Sequence, residues 1–598
     1  MYTCLQSALV APLEGVMDDK PFEHRLTRRA ALRLLVAGTG ASVLAASTST
    51  RLFAASVAAG PATLPQQQAG VNQLNIAWNA APPNLNPLNA VSQAQWTTFA
   101  SVYSTLCMSD PQNQTFAPDL AESWDIAADG SSYTFHLRTN ARWHDGLPVT
   151  AADVEWTYTM ALHPDTTSNL AGQFRAIKGA ADYTAGKADR VTGIRVLDDH
   201  TIRFDMETPN GIFMIQTVPG PTPFAILPKH LLGSVKPADL ATTPQLTSAP
   251  VGSGPFKVVR YVPNQFIEMQ ANPDYHFGKP RIDKLVFNIV QSPDATSVAM
   301  DRGEIDMPLF DTGAAPADMY RKFISDPRFK IVGVADGPVI GYGFNFRIEG
   351  IRDPRLHQAW LYALDRQTLN STFNLGAGKL VNSWMIHQWY QKPEWADLYP
   401  YDPDQARSLL QQMGWDSSRV VSVNVITLAD DNTRSWIAAE QQMLSDVGIQ
   451  ISINEMDVAS WVNQFYNEPH EFEAVRVTFG AFPDPDGFLS FHMQSGSKNA
   501  FGYANADLDQ KIKNGEQQIQ QPDRVAIYQD IAQQMLVDLP VAPVVWQNSW
   551  LIQNQRFHIP QFDTLSPATS LSDIPLATRF LTGADYFKFR MDQWSLSV

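Results

Sequence analysis

Residues 118–154, PDLAESWDIAADGSSYTFHLRTNARWHDGLPVTAADV, combine a strand pattern and a helix start in one short stretch. Apolar residues at every second position predict a strand with one buried face; they are Tyr133, Phe135 and Leu137. Further on, Thr150 and Asp153 have the spacing of a capping box, which marks the beginning of a helix. The stretch therefore predicts a strand, a turn and a capped helix in direct succession.

Similar patterns alternate through the rest of the chain. Strand patterns lie at 72–78, 200–206 and 449–453, and helix patterns lie at 403–414 and 436–447. Each of these two helices ends just before or at a glycine, as helices commonly do. Helix followed by strand, repeated along the chain, predicts a mixed α/β fold.

The composition limits the classes of partner. The chain has 598 residues, of which 44% are hydrophobic, so it can bury more than one core and we expect two or three domains. Its net charge of −16 repels phosphate backbones and anionic lipid surfaces. We therefore expect no nucleic-acid partner.

Two adjacent arginines, Arg28 and Arg29, precede an apolar stretch of small residues at 34–46. That stretch is shorter than the ~20 apolar residues that cross a bilayer as a helix. Basic residues, then apolar, then small ones are typical of an export signal, whereas the alternative is a buried Ala-rich helix. The arginine pair resembles the twin-arginine motif, so we expect the Tat translocase to export the folded protein.

We expect residues 1–59 to hold this signal and its cleavage region. Cys4 would leave with the signal, so Cys107 would be the single remaining thiol and no internal disulfide could form. No cysteine follows the apolar stretch directly, so we expect no lipid anchor. The mature protein is predicted to be soluble in the periplasm.

Four stretches share their order and spacing with one protein family. They are LNPLNAVSQAQWTTFASVYSTLCMSD (85–110), the stretch 118–154 quoted above, GSGPFKVVRYVPNQFIEMQANPDYHFGKPRIDKLVF (252–287) and GYGFNFRIEGIRDPRLHQAWLYALDRQTL (341–369). Together they resemble the family-5 extracellular solute-binding proteins. These are receptors of ABC importers for peptides, nickel and some oligosaccharides.

The resemblance implies the two-lobe periplasmic binding protein fold of type II, with an additional domain in the first half and hinge closure on the ligand. The first lobe, lobe I, would be assembled from 60–115, 226–335 and 546–598. The extra domain would span 116–225, and the second lobe, here called lobe III, would span 336–545.

The segment GAFPDPDGFL (480–489) is predicted to contact the ligand. In peptide-binding members of the resembled family, an Asp three positions before the acidic-Pro pair binds the peptide's ammonium group. Here Ala481 stands at that position and Asp484 precedes the proline. An ammonium buried between lobes needs a charged partner, so either Asp484 or Asp486 takes the role or the ligand carries no ammonium there.

Aromatic residues extend the predicted site. Aromatic faces stack on sugar rings and on cations, and the candidates are Trp384, Phe479 and Phe482, although a core position is the alternative for each. The resemblance adds two candidates, Tyr103 in a Tyr-x-x-Leu turn and Asn345 in a Phe-Asn strand.

Other motifs carry weaker predictions. Trp143-His144-Asp145-Gly146 contains a His–Asp pair, but it reads as a turn in which Gly146 takes an unusual backbone angle. The twelve histidines show no metal-ligand spacing, so no metal or cofactor is predicted, while a nickel site assembled only in three dimensions stays open.

The sequence thus predicts a periplasmic receptor, without catalytic activity, that captures a solute and delivers it to an inner-membrane ABC permease. A di- or oligopeptide is the first expectation. An oligosaccharide, an opine-like conjugate or a metal chelate is the alternative within this class, and a secreted hydrolase or a sensory receptor is the alternative outside it. We expect a monomer.

Overall fold

The computed structural model describes residues 71–598 except 91, 111–114, 218–223, 311–314, 335–337, 377, 385–390, 397, 416–419, 429–430, 468, 480–483, 496–498, 504, 548, 567, 569–573, 575, 578–589 and 598. The predicted export signal with Arg28 and Arg29 therefore lies outside the described residues, as do Ala481 and Phe482.

The strands, in chain order, are β1 Gln73–Trp78, β2 Cys107–Asp110, β3 Thr115–Pro118, β4 Ala121–Ile126, β5 Ser132–Leu137, β6 Ile194–Asp198, β7 Thr201–Asp205, β8 Phe256–Val262, β9 Phe266–Ala271, β10 Lys284–Ile289, β11 Met307–Leu309, β12 Phe329–Val334, β13 Val339–Phe344, β14 Val421–Leu428, β15 Ile449–Met456, β16 Ala474–Phe479, β17 Val541–Trp546, β18 Ser549–Asn554, β19 Phe557–His558, β20 Leu576–Ala577 and β21 Ser595–Leu596.

The α-helices are α1 Gln93–Val102, α2 Ala151–Leu162, α3 Ala180–Thr184, α4 Phe213–Thr217, α5 Lys229–Leu232, α6 Pro244–Thr247, α7 Pro293–Asp301, α8 Ala317–Phe323, α9 Pro354–Ala363, α10 Arg366–Phe373, α11 Pro403–Gln412, α12 Asp431–Val447, α13 Val458–Tyr466, α14 Pro485–His492, α15 Ala506–Gln517, α16 Gln521–Asp538 and α17 Pro560–Asp563. Short 3-10 turns lie at Pro87–Asn89, Pro164–Thr166, Ala171–Phe174, Pro237–Asp239, Pro393–Trp395 and Met591–Gln593.

Three larger sheets organise the described residues. A five-stranded sheet has the order β11-β1-β10-β9-β8, and a four-stranded antiparallel sheet has the order β4-β5-β7-β6. A second five-stranded sheet has the order β15-β14-β16-β13-β17, in which β14 pairs in parallel with both neighbours. The smaller sheets are β18-β12-β20, β2-β3 and β19-β21.

The second five-stranded sheet separates two apolar clusters. Val339 of β13 belongs to the cluster with residues of α14, α15 and α16, whereas Tyr342 and Phe344 of the same strand pack with residues of α9, α11 and α12. Side chains alternate between the two faces of a strand, so both faces of this sheet are covered. The first cluster is the one that matters for the site, because α14 borders it.

The local patterns in 118–154 are confirmed. Tyr133, Phe135 and Leu137 are buried in β5, and the capping box of Thr150 and Asp153 begins α2. The predicted strand at 72–78 is present, but β1 is buried along its whole length rather than alternating. The reason is its position, since β1 lies between β11 and β10 in the interior of the sheet.

Candidate functional site

The polar segment predicted to contact the ligand begins α14. Asp484 is the N-cap residue of this helix, and its Oδ1 accepts a hydrogen bond from the backbone N–H of Asp486 at 3.0 Å. Pro485 occupies the first turn, where the missing N–H costs nothing. The sequence Asp-Pro-Asp is therefore a helix start, and its two carboxylates lie beside the positive end of the helix dipole.

Asp484 is paired with an arginine from another helix. Arg524 Nη2 in α16 lies 2.5 Å from Asp484 Oδ1, and both side chains are buried. Burial raises the pKa of Asp484, an effect that the charge of Arg524 opposes. A buried charge needs a partner of opposite charge, and here Asp484 and Arg524 are each other's partners. Asp484 is thus already engaged within the protein, and its predicted role as an ammonium partner gains no support from this geometry.

Asp486 has a different environment. Burial raises the pKa of its carboxyl group well above the usual value, and the nearby charges of Glu516 and Asp484 add to the increase. Ser490 lies between the two acids: it hydrogen-bonds to Asp486, and its Oγ is 3.2 Å from Glu516 Oε1. Asp486 Oδ1 is buried and has no hydrogen-bond partner among the described residues. Its ligand role stays a prediction, and a carboxyl group favoured in its neutral form is a weak partner for an ammonium.

The predicted aromatic residues come together beside α14. The ring of Trp384 meets Phe479 edge-on at a centroid distance of 5.0 Å and lies parallel to Phe488 of α14 at 5.7 Å. Trp384 Nε1 is buried without a partner among the described residues. Edge-to-face and offset-parallel contacts are favourable geometries for aromatic rings. The three rings, here called the aromatic wall, are buried in the apolar cluster beside α14, and the ligand roles of Trp384 and Phe479 stay predictions.

A buried arginine holds the segment that carries Trp384. Arg366, at the beginning of α10, donates to Val381 O and Asn382 Oδ1, each at 2.9 Å, and to Tyr399 O at 2.8 Å. Burial lowers the pKa of Arg366 to about 10. Its hydrogen bonds within the described chain go to neutral oxygens, so the guanidinium acts as a clamp on both ends of this segment.

Two predicted candidates lie elsewhere. Asn345 follows β13 at the end opposite Phe479, because β13 and β16 are antiparallel with Val339 facing Phe479. The separation is roughly 20 Å along the strand. The amide of Asn345 is engaged, since it donates to His470 O and Phe472 O at 3.0 and 2.8 Å.

Tyr103 is also buried, in the apolar cluster of the first lobe and the four-stranded sheet, with its ring 6.1 Å from that of Phe99. Burial raises its pKa. The structure thus joins Trp384 and Phe479 to the beginning of α14, but it does not bring Tyr103 or Asn345 to them. The ligand roles of both stay predictions.

The Trp143–Gly146 motif is confirmed as a turn. Gly146 has φ +93°, and His144 bonds to backbone groups, with Nδ1 accepting from Gly252 N–H at 3.2 Å and Nε2 lying 3.1 Å from Gly254 O. Burial lowers the pKa of His144 to about 4, so the ring is neutral. Asp145 instead pairs with His230 at 2.7 Å. The described chain contains no grouping of three or more His, Cys, Asp or Glu suited to a metal ion.

Three charged residues organise this region without having been predicted from the sequence: Arg366, Glu516 and Arg524. Arg524 stands four residues before Tyr528, which is buried in α16, so this helical spacing is a signal that places Arg524 on the same buried face. Arg366 and Glu516 had none, since their partners come from distant segments.

The family of bacterial extracellular solute-binding proteins, family 5, middle region, has a model that matches residues 115–500. A putative ABC transporter peptide-binding protein of Brucella ovis is 28% identical over 513 residues, covering 83% of this chain and 91% of that protein.

Two solved structures share the fold. The oligopeptide-binding protein AppA of Bacillus subtilis, in complex with a nonapeptide, has a TM-score of 0.68 at 22% identity. The protein AgaA from A. tumefaciens R10, in complex with agropinic acid, has a TM-score of 0.70 at 20% identity. Each comparison covers 88% of this chain and 99% of the other. The α/β fold with two lobes that the sequence predicted is thereby confirmed. In the part of the chain that is described, no helix has the length and apolar character to span a membrane.

Proposed function

Because the chain belongs to the bacterial extracellular solute-binding proteins of family 5, we propose that it is the substrate-binding protein of an ABC importer. It captures a solute between its two lobes and hands it to the inner-membrane permease. The match of the family model over residues 115–500 carries this proposal. Ligand binding and lobe closure are linked, because the closed form buries the ligand and presents the surface that the permease recognises.

A di- or oligopeptide is the proposed ligand. The Brucella relative is named as peptide-binding, and the B. subtilis neighbour holds a nonapeptide. Extended peptides are bound through main-chain hydrogen bonds, while pockets for side chains give breadth or specificity. The aromatic wall of Trp384, Phe479 and Phe488 supports an apolar pocket of this kind.

Ala481 favours a second candidate, a ligand without a free ammonium group at this position. Asp484 is engaged with Arg524, and burial favours the neutral form of Asp486. An opine-like conjugate fits these conditions, and the A. tumefaciens neighbour holds agropinic acid. An oligosaccharide or a metal chelate would be equally compatible with a site that has no carboxylate at position 481.

The domain limits predicted from the sequence are part of this proposal. The four-stranded sheet uses strands from within 116–225 alone, and the second five-stranded sheet uses strands from within 336–546. The first five-stranded sheet joins β1 to strands between 256 and 309, which supports a discontinuous lobe I. β17 ends at Trp546, which is one residue beyond the predicted end of lobe III at 545.

We propose that the mature protein works in the periplasm as an unanchored monomer and is exported through the twin-arginine motif. Replacing Arg28 and Arg29 by lysine should leave the precursor in the cytoplasm, as fractionation would reveal. A mature N-terminus that still contains either arginine contradicts this part.

Thermal melting against panels of peptides, opines, sugars and nickel chelates tests the ligand. A ligand at 100 times its dissociation constant adds about 2.7 kcal/mol to the stability of the folded state. Peptides alone should shift the melt, and mass spectrometry should recover them unchanged. A shift by another class only would replace the proposed ligand, and consumption of the compound would refute the receptor.

The substitution Ala481→Asp tests the second candidate. It should strengthen binding of a free-amine tripeptide by at least about tenfold, because a buried ammonium gains a charged partner. The same tripeptide with an acetylated amine serves as the matched control and should gain nothing. Equal effects on the two peptides would contradict the assignment of Ala481 to the ammonium position.

A further inference from the structure

Among the described residues, a backbone hydrogen bond joins the segment after the four-stranded sheet to α15, which is distant in sequence. The N–H of Gly211, which follows β7, donates to Glu516 O near the end of α15 at 2.7 Å. Gly211 lies in the connection after β7 and Glu516 in the last turn of α15, so the two groups do not belong to a shared sheet. This contact joins the predicted extra domain to the predicted lobe III.

The approach at Gly211 is too close for any side chain. A Cβ atom at Gly211 would lie 1.7 Å from Gln518 O, far inside contact distance. Gly211 does not adopt the left-handed conformation that would require glycine for its own backbone. Glycine is therefore required at position 211 because the neighbouring segment packs against it, and not because of its own backbone conformation.

The extra-domain side of the contact is held rigidly. Asn210 N–H donates to Gly130 O at 3.2 Å, Asn210 Oδ1 accepts from Ile212 N–H at 2.9 Å, and the hydroxyl of Tyr133 donates to Asn210 O. Gly130 also lies against Ile519, because a Cβ there would be 2.2 Å from Ile519 Cδ1. Gly130 and Gly211, which are linked through the hydrogen bonds of Asn210, thus both pack against the connection between α15 and α16.

The lobe III side of the contact connects to the candidate site. Glu516, whose carbonyl oxygen accepts from Gly211, has its carboxylate 3.2 Å from Ser490 Oγ in α14. Arg524 is near enough to Tyr133 of the extra domain for its charge to lower the pKa of that phenol, although burial raises the pKa overall to about 12. The start of α14 therefore lies next to the surface where the two bodies meet.

We propose that this contact, formed by Gly130, Asn210 and Gly211 on the extra domain and by residues 516–519 of lobe III, is a closure latch. It forms when the lobes close and breaks when they open. The proposal rests on the lobe movement of the proposed function but not on the identity of the ligand. Gly211 is accordingly a positioning residue, which raises ligand affinity by stabilising the closed state without touching the ligand.

Distance measurement between two spin labels tests the latch. The labels are placed on Leu197→Cys in β6 and Val537→Cys in α16, which are both well exposed, in the full chain with Cys4→Ser. Cys107 is buried and should remain unlabelled. Distances are recorded without ligand and with a tryptic digest of casein as the probe. The test variant is Gly211→Ala, and the matched control is Gly172→Ala in the same predicted domain, where an added Cβ meets nothing within 4 Å.

We expect the population at the short, closed distance to fall by at least about tenfold in Gly211→Ala, because the methyl group clashes only in the closed state. Gly172→Ala should match the unsubstituted protein, and near-ultraviolet circular dichroism of both should be unchanged. Ile519→Ala should reduce the closed population in the same direction by less.

Three results would overturn the latch. One is an unchanged closed population in Gly211→Ala, and another is a short distance that is absent from the unsubstituted protein although the digest shifts its melt. The third is unfolding of Gly211→Ala, which would make the contact a permanent part of the fold. If the digest does not shift the melt, the peptide proposal fails instead, and the comparison without ligand alone decides the latch.

Discussion

Buried acids stand at a helix start in two regions of the molecule: Asp153 in the stretch 118–154, and Asp484 and Asp486 at the beginning of α14. The hydrogen-bond partners of these acids differ in kind. Asp153 accepts from the N–H groups of Thr150 and Lys229 at 2.9 Å each, so these partners are neutral backbone groups, and Lys229 lies 76 residues away. Asp484 also caps its own helix, but in addition it is paired with the charged Arg524 of another helix, and Asp486 has one oxygen without a partner in the described chain.

The difference separates a structural unit from a candidate site. A carboxylate that caps its helix and accepts from backbone groups is stabilised by neutral donors. Buried acids that depend on a charged partner cost stability unless every partner is in place. Such an arrangement beside an aromatic wall is a candidate for function.

Arg524→Met should have the largest effect. It leaves Asp484 buried without its partner, and breaking a buried ion pair in this way costs about 3–5 kcal/mol. Calorimetric melting of the purified protein should show a lower transition for the part that contains α14 and α16. The double variant with Asp484→Asn should recover a large part of the loss, and a double variant as unstable as the single one would contradict the pairing.

Asp153→Ala should cost less, about 1–2 kcal/mol, because it removes a capping box and one further hydrogen bond but no buried ion pair. The same calorimetric measurement applies. If Asp153→Ala proves more damaging than Arg524→Met, the contrast between the two regions fails.

Asp486→Asn should have a smaller effect of opposite sign. Burial raises the pKa of Asp486 in the folded protein, so its favourable contribution is complete only below the ordinary value near 3.8 and is lost as the pH rises through the folded value. The asparagine variant should therefore melt higher than the unsubstituted protein at pH 8, and the gap should narrow toward pH 4. A gap that widens on acidification would refute this environment.

Prediction from sequence succeeded where partners are close in the chain. The alternation in β5 and the capping box of α2 are set by spacings of two and three residues, so the pattern alone reveals them. The pair Asp484–Arg524 and the clamp of Arg366 on residues 381–399 depend on tertiary packing. No local spacing encodes them.

Lys279→Ala should have the smallest effect. Its ammonium lies 2.8 Å from Asp283, but both side chains are about half exposed. Exposed pairs of this kind contribute about 0.2–1 kcal/mol and are screened by salt. The melting temperature should hardly change. A loss of stability close to that of Arg524→Met would show that burial does not explain why the two ion pairs differ.

The central claim is that this receptor binds a peptide without a carboxylate for its amine. Calorimetric titration with one tripeptide and with its N-acetylated form tests it most directly. The account predicts heat from both, with dissociation constants within about threefold of each other, since less than 1 kcal/mol then depends on the amine. Loss of binding by a hundredfold or more on acetylation, or no heat from either peptide, would contradict it.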